Sequence, residues 1–179
     1  MVELLVHIRP ATITDVPAVA KVCAESWRST YQGLAPDVFV NGMTEAAATA
    51  IFHDSLQSTD YAYLLHVAET DEGLIVGYVD GGKERSHPEQ GVGELYGLYL
   101  LKDHQRKGLG RQLFRAAAQS VVASGMNTLV IWVLESNTNQ PFYVSIGGVL
   151  QPGIKKLNVG GHEIKLVSYY WENLKGSLA

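Results

Sequence analysis

Short periodic runs of apolar residues, separated by single Gly and Pro positions, extend along the whole chain. The period and flanks of each run predict its element. Residues 4–9 predict a first strand. Thr14 predicts a helix start with Asp15 and Pro17 in the first turn, running to about Tyr31; Thr44 with Glu45 starts a second helix reaching about Leu56. Residues 61–69 and 74–80 predict two strands joined by Thr70-Asp71-Glu72-Gly73, a turn whose composition suits a hairpin. A loop containing Gly and Pro covers 81–91, and a strand rich in Leu and Tyr covers 94–101. Within 108–124, Leu109, Leu113, Ala116, Ala117 and Val121 recur at helical spacing, and Gly125 stops that helix. Residues 128–134 are β-branched and apolar, as a central strand covered on both faces requires. A short helix over 139–146 ends at Gly147-Gly148, and two last strands flank Gly160-Gly161, the second over 163–171. This order predicts a mixed α/β sheet with helices on its faces. No repeat or charge block divides it, so residues 1–179 are expected to form a single domain.

Composition narrows the partners. With 179 residues, 46% of them apolar, the chain can bury the core of one ordinary domain. A formal charge of −4 argues against nucleic acid, whose binding depends on neutralising phosphates, and suits a neutral or cationic partner. Cys23 is the only cysteine, so no internal disulfide forms; set among Val19, Ala20 and Val22, it reads as helix core. The first nine residues lack the basic and long apolar stretches of a signal peptide, and no run approaches the ~18 apolar residues of a membrane span. A cytoplasmic protein without membrane association is expected. The six His residues show no ligand spacing, so no metal is expected.

The chemistry concentrates in Gln105-Arg106-Lys107-Gly108-Leu109-Gly110-Arg111, between a strand and a helix. There the unsatisfied N–H groups of a first helical turn and the positive end of the helix dipole face one spot, which favours an anion. Gly108 and Gly110 let a diphosphate approach the backbone, and Arg106, Lys107 and Arg111 add charge. A tight turn needing Gly for conformation alone accounts for the same glycines. Two other glycine patterns fail: residues 77–83 fit a phosphate loop, but Glu84 replaces its Ser/Thr and Pro88 follows where a helix should start; Gly91 and Gly93 lack a third glycine, Tyr96 standing in its place.

The Gln-x-x-Gly-x-Gly pattern after the strand Glu94-Leu-Tyr-Gly-Leu-Tyr-Leu100 resembles the coenzyme-A cradle of the GNAT superfamily of N-acetyltransferases, and the element order resembles that fold along nearly the whole chain. The resemblance implies a mostly antiparallel central sheet splayed between its fourth and fifth strands. Acetyl-CoA would be the co-substrate, its pantetheine arm bound by the backbones of Leu98, Tyr99 and Leu100. The N–H of Leu98 would face the thioester oxygen, where one donor is worth roughly 3 kcal/mol in the transition state. Gly97 in mid-strand reads as a bulge or close approach, or as a packing glycine beneath an aromatic ring.

An aliphatic amine must lose a proton before it attacks. By position in the resembled family, Glu94 is the candidate base; a solvated strand-end carboxylate is the alternative. Phe142-Tyr143 before Gly147-Gly148, with Asn137 ahead as a coenzyme-contacting amide, resembles the family's second region. Tyr143 would then be the acid that protonates the departing thiolate, or else a buried, hydrogen-bonded tyrosine. Arg106 and Val149 depart from that pattern, where Gly and Phe are commoner. Trp27 and Tyr31, one helical turn apart, are either core or an acceptor-side pair, as in a subgroup with the Trp-x-x-x-Tyr-x-Gly-x-x-Pro loop. The expected activity is acetyl transfer to a small-molecule or peptide amine in a ternary complex. A non-catalytic acyl-CoA-binding sensor and an enzyme using longer acyl chains are the other readings, and a homodimer through the last two strands is compatible with the resemblance.

Overall fold

Local capping sets the first two long helices. In the computed structural model of the chain, which describes residues 5–59, 63–87 and 90–178, the Thr12 N–H donates to Asp15 Oδ2 at 2.8 Å. A 3-10 turn over Ile13–Asp15 follows, then α1 over Val16–Tyr31, so Thr12 rather than Thr14 opens this helical stretch. Thr44 caps the third helix as expected, its Oγ1 accepting the N–H of Ala47 at 3.1 Å. The elements run β1 Val6–Pro10, α1, α2 Asp37–Gly42, α3 Glu45–Gln57, β2 Leu64–Thr70, β3 Ile75–Lys83, β4 Gly93–Leu100, α4 Leu109–Ala123, β5 Leu129–Leu134, α5 Gln140–Ser145, β6 Val149–Leu150, β7 Lys155–Val159, β8 His162–Trp171 and α6 Leu174–Leu178. The expected strand starts at Leu4 and Tyr61 lie outside the described residues, as does Pro88.

Strand β3 outruns its expected end at Asp80 and takes in Gly81, Gly82 and Lys83. A Cβ on Gly81 would collide with the Glu94 carbonyl oxygen, so the close approach of β4 is what glycine permits there. The register slips between Asp80 and Gly81: Asp80 lies opposite Gly97 and Gly81 opposite Leu95, which leaves Tyr96 as an extra residue on β4.

The described strands form one sheet in the order β1-β2-β3-β4-β5-β8-β6, with β7 also paired to β8. Only β4 and β5 are parallel, and they pair only through residues 93–95 and 129–131. Beyond that point the two strands part, as expected. Helix α4 covers one face, where Leu113, Ala117 and Val121 pack with Val79, Leu95 and Leu129. Each large apolar side chain buried there contributes about 1.5–3 kcal/mol. On the other face α1 and α3 bury Val19, Cys23 and Phe52 against Val67 and Tyr78. Cys23 is 3% exposed, and burial pushes its thiol up to about 11. No helix among the described residues is long and apolar enough to cross a membrane.

Candidate active site

Where β4 hands over to α4, Gln105 Nε2 donates to the Leu100 carbonyl at 3.0 Å and ties the loop back to the strand end. Arg106 at φ 63° and Gly108 at φ 81° are both left-handed, and Gly108 is the residue at which the loop turns into α4. The two glycines have separate reasons. Nothing lies within 4 Å of a Cβ built on Gly108, so its φ is its requirement; a Cβ on Gly110 would stand 3.2 Å from the Phe142 ring, so Gly110 sets how closely α4 meets α5.

A cavity of about 580 Å³ opens from this point. Gln105, Arg106, Gly108, Gly110 and Arg111 line one wall, Leu98, Tyr99 and Leu100 a second, and Asn137 and Tyr143 a third. Arg111 also donates to the Ser145 carbonyl at 3.1 Å, joining α4 to α5. Lys107 is exposed and Leu109 is buried in the core; neither lines the cavity.

Hydrogen-bond alternation decides which strand amides face this space. The Leu101 N–H donates to the Val76 carbonyl at 2.9 Å, which makes Gly77 and Leu100 a non-hydrogen-bonded pair in the β3–β4 ladder. By alternation Tyr99 exchanges bonds with Tyr78, while Leu98 and Leu100 turn their N–H and C=O groups away from β3, toward the gap beside β5. The expectation that the Tyr99 backbone bonds a ligand arm is therefore corrected: Tyr99 meets the cavity through its side chain.

Asn137 is buried and its Oδ1 accepts the Asn139 N–H at 2.8 Å. Tyr143 packs against Phe142 and Tyr169, with ring centroids 5.4 and 5.5 Å away. Burial pushes its hydroxyl well above the usual tyrosine range, so it keeps its proton at neutral pH. Tyr31 lines the cavity and its hydroxyl lies 2.9 Å from that of Tyr99. Trp27 stands behind it, edge-on at 4.8 Å, its indole N–H donating to the Phe39 carbonyl at 3.2 Å. Core packing and a cavity wall are thus combined in one helical face.

Glu94 is 2% exposed, not a solvated strand-end carboxylate. Its Oε1 accepts Arg85 Nη2 at 2.6 Å and Nε at 3.2 Å, and its Oε2 accepts the Arg85 backbone N–H at 2.9 Å. The Arg85 guanidinium also lies 4.3 Å from the centre of the Tyr96 ring. Glu94 is not among the residues lining the cavity. Sequence reading passed over Arg85, Tyr63 and Asp80. The available signal was Asp80 itself, a lone carboxylate closing the apolar run 74–80. Gly97 satisfies both of its expected readings: it adjoins the bulge, and a Cβ there would stand 2.9 Å from the Tyr99 ring.

Residues 25–147 match the model of the acetyltransferase (GNAT) family. The chain belongs to the GNAT family. A curated relative, the uncharacterised N-acetyltransferase YuaI of Bacillus subtilis (strain 168), is 30% identical over 170 residues, covering 95% of each chain. The same fold occurs in the PaiA N-acetyltransferase of Thermoplasma acidophilum, solved with coenzyme A: TM-score 0.70 and 20% identity over 94% of this chain and 100% of that one. It occurs again in yncA of Salmonella typhimurium, solved with its cofactor acetyl-CoA, at TM-score 0.71 and 20% identity over 94% of both chains. As a GNAT protein the chain is an acyltransferase, and its sheet, with the single parallel pair and the parted strands, is the GNAT sheet.

Proposed function

We propose that this GNAT protein acetylates a primary amine, taking the acetyl group from acetyl-CoA while both substrates are bound. The observation that carries the reading is the pair of strand residues, Leu98 and Leu100, whose amides turn toward a cavity that also opens onto the start of α4. A long, polar ligand arm ending in a diphosphate matches that combination: strand-like hydrogen bonds along β4, then first-turn N–H groups, Arg106 and Arg111 for the phosphates. Acetyl-CoA supplies an acyl group already activated as a thioester. The coenzyme-bound relatives support the choice of donor.

In this reading the Leu98 N–H stabilises the negative charge that develops on the carbonyl oxygen. Tyr143 lines the same cavity and holds a proton to give to the departing sulfur. Asn137 fixes the turn between β5 and α5 that presents Tyr143. The acceptor, a small-molecule or peptide amine, approaches from the face of α1, where Tyr31 and Tyr99 form an aromatic wall of the cavity.

Calorimetry with coenzyme A and mass-spectrometric detection of acetylated products across an amine panel test the proposal. Tyr143→Phe should lower kcat about 10²-fold with KM for acetyl-CoA nearly unchanged. Absence of coenzyme-A binding by the wild type would refute the reading outright; binding with no product from any amine would refute catalysis.

A further inference from the structure

We infer that Asp80, not Glu94, takes the proton from the acceptor amine, and that the missing side chain of Gly97 is the space through which its carboxylate reaches the reaction. The inference rests on the acetyltransferase reading above. Asp80 lies directly opposite Gly97, and its Oδ1 is 3.2 Å from where a Cβ on Gly97 would stand. The carboxylate therefore leans over β4 beside the Tyr99 ring; Tyr99 lines the cavity, whereas Asp80, like Glu94, does not. Gly97 immediately precedes Leu98, the residue whose N–H faces the gap beside β5. Glu94 is four residues back along the strand from Leu98, beyond the bulge at Tyr96, a separation of roughly 13 Å at ~3.3 Å per residue.

The two carboxylates also differ chemically. Glu94 accepts three hydrogen bonds from Arg85, which occupy both of its oxygens and tie the carboxylate to the chain at residue 85. Asp80 accepts the Tyr63 hydroxyl at 3.3 Å and is 6% exposed. The groups facing it are Cys23 of α1, Tyr63 ahead of β2, Tyr78 of β3, and Tyr99 of β4, with Arg85 and Glu94 the nearby charges. Burial pushes its carboxyl up to about 7; the Tyr63 hydrogen bond and Arg85 oppose the rise, and Glu94 adds to it. A base in that range is matched to work near neutrality.

The step balances. The bound ammonium gives one proton to Asp80, and the freed lone pair forms the N–C bond at the thioester carbon. The C–S bond breaks with its electron pair on sulfur, which takes the proton of Tyr143. The new amide nitrogen sheds its second proton to restore Tyr143, and Asp80 releases its own to water.

The test is the pH profile of kcat/KM for an amine that the wild type acetylates, at saturating acetyl-CoA. The wild-type profile should rise through a limb near pH 7. Asp80→Asn should lose about 10²–10⁴-fold at neutral pH and recover at high pH, where the amine deprotonates unaided, while Glu94→Gln should keep the limb. Thermal denaturation supplies a readout independent of turnover. A carboxyl raised in the fold costs stability as pH climbs from about 3.8 to about 7, so Asp80→Asn should gain on the wild type across that window. Gly97→Ala should lower kcat/KM at pH 7 by displacing the carboxylate. Wild-type rate and limb in Asp80→Asn, or loss of the limb in Glu94→Gln, would overturn the inference alone. A wild type that binds acetyl-CoA but acetylates no amine would overturn the enzyme reading and this inference with it.

Discussion

Arg106 holds a left-handed backbone, φ 63°, that β-carbon sterics penalise by about 1–2 kcal/mol. Its side chain is exposed and Arg106 lines the cavity, so the position combines conformational cost with a positive charge at the cavity wall. Arg106→Gly should separate the two. The variant should be about 0.5–1 kcal/mol more stable to denaturant, strain relief exceeding the added flexibility of glycine. Its coenzyme-A affinity should fall about two- to fivefold, the worth of one exposed ion pair. An unchanged denaturation midpoint would remove the strain argument. The sequence showed that Gly108 and Gly110 matter but not why, because a positive φ and a close aromatic ring leave the same letter. It equally gave no hint that Arg85 satisfies Glu94, since residues nine apart become partners only when β3 and β4 fold over each other.

At the scale of elements, β1 is fastened to the start of α1 by one side chain. Arg9 donates to both oxygens of Asp15 at 2.8 and 2.9 Å and to both of Glu69 at 2.7 and 2.9 Å. The Arg9 hydrogen bonds hold the Asp15 carboxyl at about 2, against 3.8 in an unfolded chain. A depressed carboxyl contributes stability that is fully present above the unfolded value and lost as pH falls through the folded one. Asp15→Asn should therefore cost about 1–2 kcal/mol at pH 7, with the deficit shrinking between pH 3.8 and about 2. Urea titrations at a series of pH values would measure it, and a deficit constant with pH would exclude the ionic clasp. Periodicity and caps sufficed for the long elements because their hydrophobic stripes and polar starts are local signals. Those signals fail for α2, six residues set after Pro36, and for β6, two residues that form a strand only because β8 offers an edge. They fail again for the end of β3, where Gly81-Gly82 reads as loop until the packing of β4 is known.

For the molecule as a whole, the parting of β4 from β5 leaves a strand whose two edges differ. On one edge Tyr99 belongs to a ladder with β3; on the other, among the described residues, Leu98 and Leu100 have no neighbouring strand beyond the pairing of residues 93–95. Amide hydrogen exchange should therefore alternate along β4 in the free protein, fast at Leu98 and Leu100 and slow at Tyr99. Added coenzyme A should protect the first two selectively, with global stabilisation of about 2.7 kcal/mol at a hundred times Kd. Uniform protection along residues 98–100 in the free protein would contradict the open edge. The core contributes a practical consequence of its own. Because the lone sulfhydryl is sealed inside α1 and resists ionisation, a chromogenic disulfide added to the working enzyme would be consumed by liberated coenzyme and ignored by the catalyst. The colour would count turnovers without a protein background.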